Sequence, residues 1–329
     1  MRSMNNKRKS GVLLQFVGDF IKMRRNLGYK SKSMESSLKA LDAFAYREGL
    51  KEVAVPEELA RKWCGRRNGE ATDTWSHRTN FLRQFSIYLS NMGYEAYTPV
   101  RPPAKHDSAF TPYIYSAEEI KKIFEAADRL VMHDRHANTM LMGVPLLVRM
   151  LYATGIRIGE AVRLDMGDVD LEKNCLTVRE AKNGKDRMVP FSGSLAEGCR
   201  QYLKYRNRLP DHCDRFFVKS NGCGCRSGGY SYWWNKILCS AGIQHRGKIP
   251  GPRIHDLRHT FCVRSMHGMS VEGKDIYYSL PILSTYIGHR SIAATDRYVR
   301  MTSEMYPELI DKMEGICSYI YPTLKNRYI

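Results

Sequence analysis

His255-Asp256-Leu257-Arg258-His259-Thr260 sets a histidine and an arginine three positions apart, a spacing that puts both on one face of a helix. A phosphate held jointly by an imidazole and a guanidinium needs that arrangement, although such pairs also arise on ordinary helix surfaces. Upstream, in Ala153-Thr154-Gly155-Ile156-Arg157-Ile158-Gly159-Glu160, a glycine breaks one helix and an arginine starts the next. Taken alone, Arg157 reads as half of a surface salt bridge with Glu160. Downstream, Gly288-His289-Arg290-Ser291 is followed, nine positions after His289, by Tyr298 in Thr295-Asp296-Arg297-Tyr298-Val299-Arg300. The chain has 20 tyrosines, so one of them carries no weight by itself.

Between the first two segments the period changes. Cys175-Leu176-Thr177-Val178-Arg179, a turn at Lys182-Asn183-Gly184-Lys185 and Arg187-Met188-Val189-Pro190 read as a β-hairpin, with Asn-Gly as the turn signal. Almost everything else reads as helix. Val12, Leu13, Phe16, Val17, Phe20 and Ile21 recur at helical spacing, as do Leu38, Leu41, Phe44 and Ala45, and then Phe81, Leu82, Phe85, Tyr88 and Leu89. Breaks are expected at Gly28, Gly49, Pro56 and Gly93. The expected class is mainly α with a small antiparallel β-sheet (α+β).

From Tyr97 to about residue 111 the helical pattern stops, and Thr98-Pro99-Val100-Arg101-Pro102-Pro103-Ala104-Lys105 has the composition of an extended linker. This places a helical N-terminal domain at 1–105, with the linker at about 97–111, and a second domain at 112–329. The second opens on Ser116-Ala117-Glu118-Glu119, a capping-box sequence.

The 329 residues include 52 Lys and Arg against 34 Asp and Glu, a formal charge of +18. Before residue 106 there are 20 basic and 10 acidic residues, so the N-terminal part holds +10 of the total. An acidic, solvating protein is excluded, and a polyanion such as nucleic acid is the expected partner. No run approaches 18 apolar residues and the N-terminus is polar and basic, so neither membrane insertion nor secretion is expected. Nine scattered cysteines, an odd number, point to reduced thiols in a cytoplasm. His212, Cys213, Cys223 and Cys225 lie close enough to be considered as zinc ligands, but one residue between Cys223 and Cys225 is too few for most zinc knuckles, and a glycine-rich loop with inert thiols is preferred. Tyr230, Tyr232, Trp233 and Trp234 read as helix-packing core, with a DNA sugar contact from one of them as the alternative.

Taken together, the ordered set of Thr-Gly-x-Arg, a hairpin lysine, His-x-x-Arg-His, Gly-His and a downstream tyrosine strongly resembles the tyrosine recombinase (phage integrase) family, over about Thr111 to Tyr306. The resemblance implies a mobile-element site-specific recombinase: a DNA-binding core-binding domain before the linker and a catalytic domain after it. It makes Arg157, Lys182, His255, Arg258 and His289 the activating residues and Tyr298 the nucleophile, with His259 as a structural partner. Lys182 is chosen over Lys185 because it aligns with the family's hairpin lysine. The stretch from His255 to His289 is several residues longer than is usual, with Val271-Glu272-Gly273-Lys274-Asp275-Ile276-Tyr277-Tyr278 as the apparent extension.

The chemistry is coherent. A phosphodiester under attack gains charge on its non-bridging oxygens, and Arg157 and Arg258 are shaped to hold them bidentately. His255 assists the Tyr298 proton, His289 donates to a non-bridging oxygen, and an ammonium at the hairpin tip protonates the departing 5′ oxygen. No acidic metal-binding cluster accompanies the set, so neither a metal nor any other cofactor is expected. The expected partner is double-stranded DNA, and the expected location is cytoplasmic and nucleoid-associated. The resemblance implies a homotetramer on DNA, possible sister recombinases, and a C-terminal exchange segment at about 304–329. There Leu309, Met313, Ile316 and Ile320 form one apolar helix face, expected to dock on a neighbouring protomer, with folding back onto its own domain as the alternative. The rival readings are a type IB topoisomerase-like enzyme and a DNA-binding accessory protein that does not cleave.

Overall fold

The computed structural model describes residues 11–29, 31–101, 112–132, 138–179, 186–243, 251–289 and residue 295. The chain divides into two compact units, Met1–Phe110 and Thr111–Ile329.

In the first unit, α1 (Leu14–Asn26), α2 (Lys32–Arg47), α3 (Glu57–Cys64) and α4 (Thr72–Asn91) surround one core. Leu13, Val17, Phe20 and Ile21 of the first helical stripe meet Leu38 and Leu41 of the second and Leu82, Phe85 and Leu89 of the fourth, all buried. Helices end where the backbone turns left-handed at Gly28, Gly49 and Gly93, with φ of 81°, 83° and 86°, and α3 starts on Pro56. The buried Asp42 carboxylate accepts from the Gly11 and Leu13 amides at 2.9 and 3.0 Å, fixing the entry to α1.

The second unit begins with α5 (Ala117–Asp128), whose capping box is complete: the Glu119 amide donates to Ser116 Oγ at 3.1 Å, and the Ser116 amide to Glu119 Oε2 at 2.9 Å. Central to its core is α6 (Val144–Thr154), with Val144, Leu146, Leu147, Val148, Met150, Leu151 and Thr154 all buried. Its open side carries Arg149, which pairs with Asp128 at 2.7 Å, and the exposed Ala153. A short α7 (Ile158–Ala161) leads to a three-stranded antiparallel sheet, β1 (Val169–Asp170), β2 (Cys175–Val178) and β3 (Arg187–Pro190). Leu176 pairs with Val189 and Val178 with Arg187. The hairpin is present, its turn lies outside the described residues, and β1 is an addition that two residues gave no periodicity to reveal. Arg179, read as strand, lies just past β2 and pairs with Asp168 at 2.6 Å.

Four helices follow: α8 (Gly193–Arg206), α9 (Ser227–Ser240), α10 (Asp256–Val271) and α11 (Ile276–Ile287). The apparent extension is the end of α10, a turn at Gly273 (φ 74°) and the first turn of α11. Tyr230, Trp233 and Trp234 are core, while Tyr232 is exposed, with the Lys236 ammonium 5.0 Å from its ring centre. Among the described residues, no helix is long and apolar enough to cross a membrane.

Candidate active site

Arg157, His255, Arg258 and His289, spread over more than 130 positions, come together where α6, α10 and α11 meet. A left-handed Gly155 (φ 61°) ends α6, and a Cβ there would collide with the Phe261 ring of α10. The chain then reverses into α7 with Arg157 as its first flanking residue. Similarly, α11 ends on a left-handed Gly288 (φ 68°), which turns His289 back; its amide donates to Ser284 O at 3.0 Å. His255 flanks the start of α10, and Arg258 lies in its first turn.

Arg258 is 2% exposed and stitches these turns together: Nη1 donates to Gly155 O at 2.6 Å and Nη2 to Ile287 O at 2.8 Å. Arg157 Nη2 donates to Gly288 O at 3.3 Å, and His289 Nδ1 lies 2.9 Å from Thr295 Oγ1. His255 packs edge-on against His259, their ring centres 5.0 Å apart, and His259 Nε2 is 3.9 Å from the buried Asp256 carboxylate. Asp256 also takes Arg253 Nη2 at 2.9 Å and the Arg253 amide at 2.8 Å, which fixes the turn before α10.

Two residues that the sequence did not single out complete the cluster. Glu160, read from sequence as the partner in a surface salt bridge, is instead buried, its side chain 2% exposed. Its Oε1 accepts Arg157 Nη1 at 2.8 Å, and its Oε2 accepts the Arg157 amide at 3.0 Å and Arg187 Nη2 at 2.8 Å. Burial raises the Glu160 pKa, but the hydrogen bonds from Arg187 and Arg157 outweigh it and hold it at about 2. Its position three after Arg157 was the one local signal. Arg187 gave no such signal, because on a strand it is one cation among many.

The site is electropositive and partly shielded from solvent, which disfavours protonation of its histidines. Burial first, then the charges of Arg258 and Arg157 among others, push His255 and His289 down to about 4. Burial and the neighbouring His255 push His259 to about 3. Such a cluster can receive an anion, with guanidinium forks for its oxygens and neutral imidazoles to accept or donate protons. Lys182 and Tyr298 lie outside the described residues, as does the segment at 304–329. Among the described residues, no group of three or more His, Cys, Asp or Glu side chains could hold a metal ion. Cys213 Sγ donates to Gly222 O at 3.4 Å within the glycine-rich loop.

The first unit carries a second basic feature. Between α3 and α4, Arg66, Arg67, Asn68, Gly69 and Glu70 line a concavity of about 660 Å³. The loop is braced from below by a buried ion pair, Arg78 Nη2 to Glu70 Oε2 at 2.6 Å, whose side chains are 7% and 8% exposed. Arg66 and Arg67 are exposed residues held over aromatic rings, Arg66 against Trp75 with Nη2 donating to Thr72 Oγ1 at 3.2 Å and Arg67 against Trp63, and neither makes a side-chain salt bridge among the described residues, whereas Arg25, Lys39, Arg61 and Lys62 do.

A family model described as the phage integrase family matches residues 114–305, more than half of the chain. The chain is 29% identical over 312 residues to a putative integrase/recombinase, y4rB, of Sinorhizobium fredii, covering 91% of this chain and 96% of that one. It is 30% identical over 201 residues to the tyrosine recombinase XerA of Pyrococcus furiosus, covering 61% and 62%. Among solved structures, the Tn1549 transposon integrase in complex with a circular intermediate DNA matches with a TM-score of 0.63 at 16% identity, over 92% of this chain and 100% of that one. XerA recombinase matches with a TM-score of 0.50 at 21% identity, over 96% and 99%.

Proposed function

The chain belongs to the phage integrase family, and from that premise we propose that it is a tyrosine-type site-specific recombinase that cuts and rejoins duplex DNA through a 3′-phosphotyrosine link. Tyr298 Oη attacks the phosphorus, its proton passing to neutral His255, and the P–O bond to the 5′ oxygen breaks as Lys182 protonates that oxygen. Arg157, Arg258 and His289 hold the non-bridging oxygens as charge grows on them. Reversal by a 5′ hydroxyl from another strand rejoins the DNA and frees the tyrosine. Positioned guanidiniums do the charge-stabilising work on this reading, so strand cutting should persist in EDTA.

One observation carries this reading: Arg258 hydrogen-bonds the backbones of the two turns that present Arg157 and His289, which joins three side chains suited to phosphate oxygens from distant segments. The relatives named above are integrases and recombinases, which gives no support to a topoisomerase or a non-cleaving accessory protein. On the same reading the first unit, within 1–105, binds DNA, with the 65–71 loop as its phosphate-contacting element, and the domain at 112–329 is catalytic. Four protomers assemble on DNA by exchanging the 304–329 segment, either alone or with sister recombinases.

The test is Tyr298→Phe. With a nicked duplex carrying the sequence that the wild-type chain selects from a randomised library, the variant should bind normally and form no covalent adduct. Adduct formation by the variant would place the nucleophile elsewhere.

A further inference from the structure

Arg187 stands at the start of β3, five positions past the hairpin lysine, and its side chain is only 10% exposed. All three of its nitrogens are engaged. Nε donates to Tyr286 O at 2.9 Å, Nη2 to Glu160 Oε2 at 2.8 Å and Nη1 to Glu160 Oε1 at 3.4 Å. Tyr286 reciprocates, its hydroxyl donating to Pro190 O at 2.9 Å. β3 is therefore bound at both ends to the last turn of α11, just ahead of His289. The fit is close: a Cβ on Gly288 would lie 3.0 Å from Arg187 Nη1 and 3.1 Å from Cζ, so the turn that presents His289 rests directly on this guanidinium.

The electrostatics are equally specific. The buried Glu160 carboxylate lies between Arg157 and Arg187. With Arg187 removed, the whole carboxylate charge would face Arg157, and an incoming phosphate would compete with it for that guanidinium. With Arg187 present, one carboxylate is shared by two cations and the trio keeps a net positive charge.

We propose that Arg187 is a positioning residue for strand cleavage: by taking its share of Glu160 and seating the Gly288 turn, it leaves Arg157 available to the phosphate and holds His289 and the hairpin in register. This rests on the reading of Arg157 as a phosphate ligand. Arg187 acts through Glu160 and Gly288, the groups that its guanidinium touches.

The experiment measures DNA affinity and single-turnover adduct formation on the nicked, library-selected duplex, using the full chain. Arg187→Gln should bind within about threefold of wild type yet form adduct on the order of 100-fold more slowly, with Arg187→Lys in between. Adding Glu160→Gln to Arg187→Gln should recover roughly tenfold of the rate, because the carboxylate that captures Arg157 is then neutral. A purely structural role predicts no such recovery. If Arg187→Gln fails to fold, Arg187→Lys and the double variant, which buries no unpaired carboxylate, carry the comparison. A wild-type rate in Arg187→Gln and Arg187→Lys, or no recovery in the double variant, would overturn the proposal. Wild-type adduct formation by Arg157→Gln and Tyr298→Phe would instead remove the reading of the site, and this inference with it.

Discussion

Arg258 Nη1 reaches the carbonyl oxygen of Gly155 at 2.6 Å across 103 positions of sequence, from a guanidinium that is nearly inaccessible to solvent. A residue expected to serve the substrate thus also closes the fold around the site. Arg258→Met should lower unfolding free energy in urea by about 1–3 kcal/mol for each buried carbonyl left unsatisfied. Arg157→Met, at a side chain 23% exposed, should cost less. Equal destabilisation by the two variants would contradict the stitching role.

The three depressed histidines set a pH dependence. Unfolded, each titrates near its ordinary 6.5; folded, they titrate at about 4, 3 and 4 for His255, His259 and His289. Between those values the unfolded chain binds more protons, so their contribution to stability is intact above about pH 6.5 and is lost as pH falls toward 4. Urea unfolding followed from about pH 7 down to about pH 4 measures this loss. A stability unchanged over that interval would sink it.

In the first unit, replacing both Arg66 and Arg67 with Gln should weaken binding to every duplex alike and reduce the steepness of log affinity against log salt by about 1.8, two phosphate contacts at about 0.9 each. Glu70 and Arg78 stay paired beneath the loop, so the melting temperature should hold. An unchanged salt slope would show that the loop faces solvent in the complex.

A chain truncated after Arg300 should bind a single site as a monomer, lose cooperative assembly on paired sites and cleave poorly, since Tyr298 is then untethered on its C-terminal side. Band-shift titration and adduct yield report the two effects. Normal recombination by the truncated protein would end the exchange-segment proposal, and failure to fold would assign Leu309, Met313, Ile316 and Ile320 to their own core.

What the sequence by itself determined was local. Helical stripes such as Val17, Phe20 and Ile21, the stops at Gly28, Gly49 and Gly93, the capping box at Ser116 and the paired strands around Asn183-Gly184 each follow from spacing or from the backbone freedom of one residue. Arg157, His255, Arg258 and His289 were singled out only as an ordered set of motifs resembling the tyrosine recombinase family, since each alone reads as an ordinary helix-surface residue. Only the tertiary structure decided how these groups are held. Arg258 bonds the carbonyls of Gly155 and Ile287, and Arg187 bonds that of Tyr286. Every residue carries such a carbonyl, so nothing in the sequence marks which ones will accept. Glu160 likewise looked like one end of an exposed salt bridge until burial and a second arginine, 27 positions away, made it the shared counter-charge of the site. That outcome depends on which surfaces the packed helices remove from water, a property of the whole core that no local spacing encodes.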